Sequence, residues 1–128
     1  EVHLPFVQRI FPRASVVPLL VGDDDRARVA EVLDRLWGGD ETAIVVSSDL
    51  SHYLDYASAC KMDGETAKTI VARKAVDFHQ ACGATPINGL LQVAAARNLV
   101  LTTLDLRNSG DTAGPRAEVV GYGAFACG

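Results

Sequence analysis

Ala43-Ile44-Val45-Val46-Ser47-Ser48-Asp49-Leu50-Ser51-His52-Tyr53 changes character abruptly at Ser47. The apolar run reads as a buried strand of a parallel sheet, and a Ser/Ser/Asp/Ser/His cluster follows it at once. Upstream, residues 15–21 carry Val16, Val17, Leu19, Leu20 and Val21 and read as a second strand, broken by Gly22. Asp23, Asp24 and Asp25 then offer an N-cap and charges that suit a helix dipole. The helix runs to about Trp37, with Val29, Leu33, Leu36 and Trp37 at helical spacing, and Gly38-Gly39-Asp40 closes it. Residues 15–48 are therefore predicted to form a strand–helix–strand unit, with a crossover long enough for a right-handed parallel pair. That places the chain in the α/β class. The polar cluster lies just past the carboxyl end of a strand, the edge where open α/β sheets bind ligands. His52 is on this reading a candidate general acid or base.

The rest of the chain supplies the covering elements. Residues 1–11 read as a short helix, with Pro5 in its first turn and Pro12 ending it. A long helical region is expected over 57–78, with Ala67, Ile70, Val71 and Ala75 as its buried stripe and Gly64 suggesting a break. Cys82-Gly83-Ala84-Thr85-Pro86 reads as a turn into a helix over 87–98, capped by Thr85 with Pro86 at its first position. Leu90, Leu91, Val93 and Ala94 are its buried residues. Residues 99–106 read as a strand, 107–116 as a polar loop bearing Gly and Pro, and 117–126 as a final strand. No repeat, low-complexity segment or linker interrupts the sequence, so residues 1–128 are expected to form one domain.

Length and composition narrow the function classes. The 128 residues are 48% hydrophobic, enough for a packed core. The net charge is -4 and the sequence pI about 5.2. No basic stripe appears, so neither nucleic acid nor an anionic membrane is an expected partner. No apolar run approaches the roughly 20 residues of a membrane helix. The sequence begins at Glu1 rather than Met and reads as a piece of a longer protein. Cys60, Cys82 and Cys127 form no CxxC pair, which suits a reducing compartment, and a cytoplasmic location is expected.

Several side chains admit two readings. Cys82 is either a small residue packed before a helix or a thiolate favoured by the helix N-terminus, suited to metal or redox chemistry. His79 and Cys82 form an H-x-x-C pair, but two ligands are too few for a structural zinc site. His79 is read as a helix-end residue. Asp49 either caps its own turn or orients His52. His3 either lines a pocket or sits on the polar face of the first helix. The three-aspartate run lacks the spacing of a calcium loop and reads as a solvated helix start.

Five motifs occur in order: Glu1-Val2-His3-Leu4-Pro5-Phe6; Pro18-Leu19-Leu20-Val21-Gly22; Val45-Val46-Ser47-Ser48-Asp49-Leu50-Ser51-His52; Cys82-Gly83-Ala84-Thr85-Pro86-Ile87; and Gly121-Tyr122-Gly123-Ala124. Together they resemble the Memo family, also called AmmeMemoRadiSam system protein B, over essentially the whole chain. The resemblance covers the C-terminal part of a family member. That family is similar in fold to LigB-type class III extradiol dioxygenases. The resemblance implies a three-layer α/β/α domain with a mostly parallel or mixed sheet. It also implies iron or copper held by two histidines and a cysteine. The cysteine maps to Cys82, and the two histidines belong to the half absent from this sequence. The active-site histidine maps to His52, the acidic residue beside it to Asp49. Ser51 and Tyr53 stand where other members can have Cys and Trp, which bears on pocket shape rather than on the placement of His52.

The chemistry fits. Two imidazoles and one anion leave open positions on iron, and a thiolate as the anion is softer and favours copper(I) or zinc. His3, Ser48 and Arg107 are the candidate substrate contacts. The leading expectation is a metal-dependent, dioxygenase-like oxidoreductase acting on a small molecule. The alternative is a non-catalytic module that holds a peptide or small anion in the same cleft, through Ser47, Ser48, Ser51 and Arg107. The resemblance also implies AMMECR-type and radical SAM partners. An exposed sheet edge would invite a second copy or a complementary chain.

Overall fold

A computed structural model describes residues 2–22 and 25–128. The chain is α/β, with helices α1 (Leu4–Ile10), α2 (Arg26–Leu36), α3 (Tyr56–Val71) and α4 (Ala84–Ala96) and strands β1 (His52–Leu54), β2 (Leu101–Asn108) and β3 (Val119–Cys127). A 3-10 turn, Ser109–Asp111, links β2 to the segment before β3. The sheet order is β1-β3-β2, and both pairings are antiparallel.

Helix boundaries follow local chemistry. Asp25 caps α2 by accepting the Ala27 amide, while the predicted share of Asp23 and Asp24 in that start lies outside the described residues, as does Glu1. Asp55 caps α3 through the Ala57 and Ser58 amides. The predicted break at Gly64 does not occur, because α3 runs through it with Ala59, Asp63, Thr66, Ala67 and Ile70 buried along one face. Packing along that stripe outweighs the roughly 1 kcal/mol that a mid-helix glycine costs. The helix stops seven residues short of the predicted end, at Val71 rather than Phe78. Arg73 takes a left-handed φ of 56°, its amide closes onto the Ile70 carbonyl and the Lys74 amide onto that of Thr69. This is a Schellman closure. Asn98, also at φ 56°, ends α4 in the same way through Ala95 and Ala94. At its other end α4 starts at Ala84, three residues before the predicted start, so Thr85 is buried inside the helix rather than capping it.

The predicted parallel pair is not formed. Among the described residues, neither 15–21 nor 43–48 enters a ladder. Neither takes up regular secondary structure, and Val17 and Leu20 are exposed at 73% and 102%. A parallel strand needs hydrogen-bonding neighbours and cover on both faces, and no described segment supplies them. The mostly parallel or mixed sheet of the expectation is thus a small antiparallel one. Nor does α2 cover a sheet: Ala30 and Leu33 pack instead against Val93 of α4, with Val29, Trp37, Ile44 and Leu90 around them. Gly89 permits the close crossing, since a Cβ there would meet Val29 and the Ala30 amide.

The predicted C-terminal strands both form, β2 extending two residues past Leu106 to Asn108. Their register runs from Leu101↔Cys127 to Asn108↔Gly121, with an irregularity between Thr103 and Asp105. Helix α3 lies against both. The main core joins Leu50, Ile70, Val76, Leu91, Ala94 and Leu101, with Phe125 and Cys127 packed against it. Burial pushes the Cys127 thiol above its ordinary pKa. Each fully buried Leu, Ile or Val of this core contributes about 1.5–3 kcal/mol.

Candidate functional site

Two segments 33 residues apart in sequence make the site, and each is fixed by buried anchors. The first anchor is on β3: the Leu50 amide donates to the Gly121 carbonyl (2.9 Å) and the Gly121 amide to the Ser51 carbonyl (2.8 Å). Beneath them the buried Asp63 carboxylate of α3 accepts the Ser51 amide at 3.0 Å. Tyr53, at φ 58°, then makes a bulge between His52 and Leu54. Such bulges re-aim side chains beside functional sites. Here His52 is half-buried and Tyr53 points to solvent.

The second anchor holds the turn before α4. Asn88 accepts the Val76 amide (2.9 Å) and donates to the Val76 carbonyl (2.8 Å). Asp77 accepts the His79 and Gln80 amides. Ala81 and Ala84 are buried on either side of an exposed Cys82. Ser48 joins the two segments. Its Oγ accepts the Gly83 amide at 2.8 Å, lies 2.7 Å from the Asp49 carbonyl, and sits 3.6 Å from the Cys82 sulfur. The Asp49 amide donates to that sulfur at 3.4 Å.

Asp49, His52 and Cys82 thereby present one carboxylate oxygen, one imidazole nitrogen and one sulfur, all within 4.8 Å of one another. His52 Nε2 stands 3.6 Å from Asp49 Oδ2, with the two side chains 31% and 49% exposed. An ion such as zinc bonds nitrogen and sulfur at about 2.0–2.3 Å, so small side-chain rotations would bring these donors onto one centre. The mixed O/N/S set fits a borderline or soft transition metal and leaves a coordination side free.

The other candidates fall in different places. His3, at the start of α1, has Nδ1 3.0 Å from Ser47 Oγ. His3 and Ser48 line a cavity of about 680 Å³ whose walls also include Leu50, Ile87, Leu90 and Phe125. Arg107 is not at this cavity. It lies on β2 and pairs with Asp105 at 2.6 Å, which raises its pKa. His79 stands in the turn and outside the donor cluster, so the H-x-x-C pair does not converge. Cys60 accepts a contact from the buried Asn108 amide at 3.5 Å. The sequence reading missed Asp63. Its signal was present: Asp63 precedes Ala67 by four residues and Ile70 by seven, which places it on the buried stripe of α3.

A sequence model of the Memo-like protein family matches residues 1–126. The chain is 32% identical to a MEMO1 family protein of Aeropyrum pernix, over 97% of this chain and 49% of the relative. It is 31% identical to one of Methanosarcina mazei, over 98% of this chain and 52% of the relative. It is 33% identical to one of Aquifex aeolicus, over 95% and 51%. The chain spans about half the length of the curated relatives it matches. Among the described residues no helix is long and apolar enough to cross a membrane.

Proposed function

The chain belongs to the Memo-like protein family, and from that membership and the Asp49–His52–Cys82 cluster we propose that it carries the thiolate and acid/base side of a metal-dependent, dioxygenase-like redox site. The observation that carries the reading is the convergence of three chemically different donors from two segments 33 residues apart. Cys82 is the metal ligand, its sulfur steadied by the Asp49 amide and by Ser48. Iron or copper bound there would supply Lewis acidity and redox chemistry. His52 gives or takes a proton at Nε2, and Asp49, 3.6 Å away, orients the ring. The substrate would sit in the cavity lined by His3 and Ser48, whose Oγ lies 3.6 Å from the Cys82 sulfur.

The engagement of the alternative's donors favours this reading over a non-catalytic cleft for peptides or anions. Ser47 is tied to His3, Ser48 to Gly83, and Arg107 to Asp105, while Ser51 is buried. The test is anaerobic loading with iron(II) or copper(I), followed by measurement of bound metal. Cys82→Ala is expected to weaken binding by at least about tenfold. Wild-type metal binding by Cys82→Ala would overturn the ligand assignment.

A further inference from the structure

A second cavity, of about 270 Å³, is lined by residues from the start of α2, the turn that ends α3 and one face of α4. Helix α4 lends it Asn88, Leu91, Gln92 and Ala95, the i, i+3, i+4, i+7 face of a helix. Two guanidinium groups complete the lining. Arg26 is the first residue of α2, and Arg73 is the left-handed residue that closes α3. Among the described residues, no carboxylate lines this cavity. Asp25, next to Arg26, caps α2 and is not part of the wall. Among the described residues Arg26 makes no ion pair. Arg73 donates Nη1 to the Leu99 carbonyl at 3.2 Å, which steadies the guanidinium and leaves its Nε and Nη2 donors for a ligand. The Asn88 side-chain nitrogen has a second N–H beyond the one given to the Val76 carbonyl, and Gln92 adds another amide.

We infer that this cavity binds a phosphate group, that of a small phosphomonoester or of inorganic phosphate. A guanidinium presents a planar fork of donors that matches phosphate oxygens, and it stays charged at every physiological pH. One such fork satisfies the two oxygens of a carboxylate. A phosphate ester carries about −1.5 to −2 charges at pH 7 and three strong acceptor oxygens, which two guanidiniums and two amides match. The net charge of the chain is -4, so a general attraction for anions does not account for such a lining. Volume sets the size of the occupant. At about 30 Å³ per water the cavity has room for roughly nine waters, and it falls short of the ~300–1,000 Å³ of drug-sized sites. That suits a phosphate with a short organic group and is too small for a nucleotide. No residue of the Asp49–His52–Cys82 cluster lines it, so the site stands or falls separately from the proposed metal chemistry.

The test is isothermal titration calorimetry of this chain with glycerol 3-phosphate and, separately, with inorganic phosphate. A chelator is present so that no metal at Cys82 contributes. Saturable binding of at least one compound at millimolar or lower concentration is expected, and the order of the two affinities tells which source the site prefers. Arg26→Gln/Arg73→Asn removes both guanidiniums, and asparagine tolerates the left-handed backbone at position 73. This double variant should keep its far-ultraviolet circular dichroism and lose affinity by about tenfold or more. Arg35→Gln, at an exposed arginine outside the cavity, controls for general electrostatics and should bind as the wild type does. A measurement on the wild type alone covers the case in which the double variant fails to fold: the Nε–Hε resonances of Arg26 and Arg73 should shift on titration. No saturation by either compound up to roughly 10 mM would overturn the inference. So would undiminished binding by the double variant, an equal loss in Arg35→Gln, succinate binding as tightly as the phosphates, or resonance shifts confined to residues outside the cavity.

Discussion

The Gly83 amide donates to Ser48 Oγ at 2.8 Å, and this bond holds the cysteine-bearing turn against the segment that carries Asp49 and His52. Ser48→Ala removes the acceptor and leaves a partly buried amide unpaired. The expected loss is about 1 kcal/mol of unfolding free energy, read as a lower midpoint in urea at unchanged slope. An unaltered midpoint would mean that the turn is held by other contacts.

Gly83→Ala probes the same junction sterically. A Cβ at position 83 would lie 2.7 Å from the Ser48 Cβ and 3.2 Å from the Ser47 carbonyl oxygen. Overpacking of this kind costs about 1–3 kcal/mol. In a Ser48→Gly background part of the clash disappears, so the two substitutions should be less than additive in a double-mutant cycle. Strict additivity would show that the close approach is not what position 83 requires.

Asp63 anchors the strand end from below. Asp63→Ala strands the buried Ser51 amide it accepts at 3.0 Å and should destabilise by about 1–3 kcal/mol, while Asp63→Asn, which retains an acceptor oxygen, should cost less. Gly121→Ala is the converse test, since a Cβ there would collide with the Asp63 carboxylate. Chemical denaturation of the three variants ranks them, and equal stability of Asp63→Ala and wild type would refute the anchor.

The uneven legibility of these elements in the sequence has a physical basis. Helices α2, α3 and α4 and the C-terminal strands were readable because their determinants are local: a cap at Asp25, a period of 3.6, and alternation over 117–126. Segments 15–21 and 43–48 carry the composition of buried strands, but a ladder also needs a neighbour, which composition does not encode. The end of α3 depends on Arg73 in a left-handed conformation, which only Gly or Asn would have signalled. Of the site, the cluster of Asp49, His52 and Cys82 was legible through its motifs. The Ser48–Gly83 clamp and Asp63 were not singled out, because both are long-range contacts of common residue types.

Ser51 offers a prediction of opposite sign. It is fully buried, and its Oγ has no hydrogen-bond partner among the described residues. An unsatisfied buried hydroxyl is unfavourable by about 1–3 kcal/mol, whereas the loss of one buried oxygen leaves little void. Ser51→Ala should therefore be neutral or stabilise by up to about 1 kcal/mol. A clear fall in thermal midpoint would show that the hydroxyl is satisfied.

Tyr56 and Asp111 give the chain a pH signature away from the Asp49–His52–Cys82 cluster. The Tyr56 hydroxyl donates to Asp111 Oδ1 at 2.6 Å, and Arg116 stacks 4.4 Å over the tyrosine ring. The Tyr56 bond, then the Asn108 amide, hold the Asp111 carboxyl below its ordinary pKa, and the Asp111 bond and charge raise that of Tyr56. A carboxylate with a depressed folded pKa contributes stability above its unfolded value that is lost as pH falls through the folded one. A phenol with a raised folded pKa contributes below its unfolded value and loses that contribution as pH rises through the folded one. The pair therefore stabilises the fold between about pH 4 and pH 10, and its contribution fades on both sides. Tyr56→Phe removes the larger effect on Asp111, so the Asp111 titration, followed by carboxyl NMR shifts, should move up toward the ordinary carboxylate value. The acid unfolding midpoint should rise with it. An Asp111 titration unchanged in Tyr56→Phe would show that the Asn108 amide alone sets it.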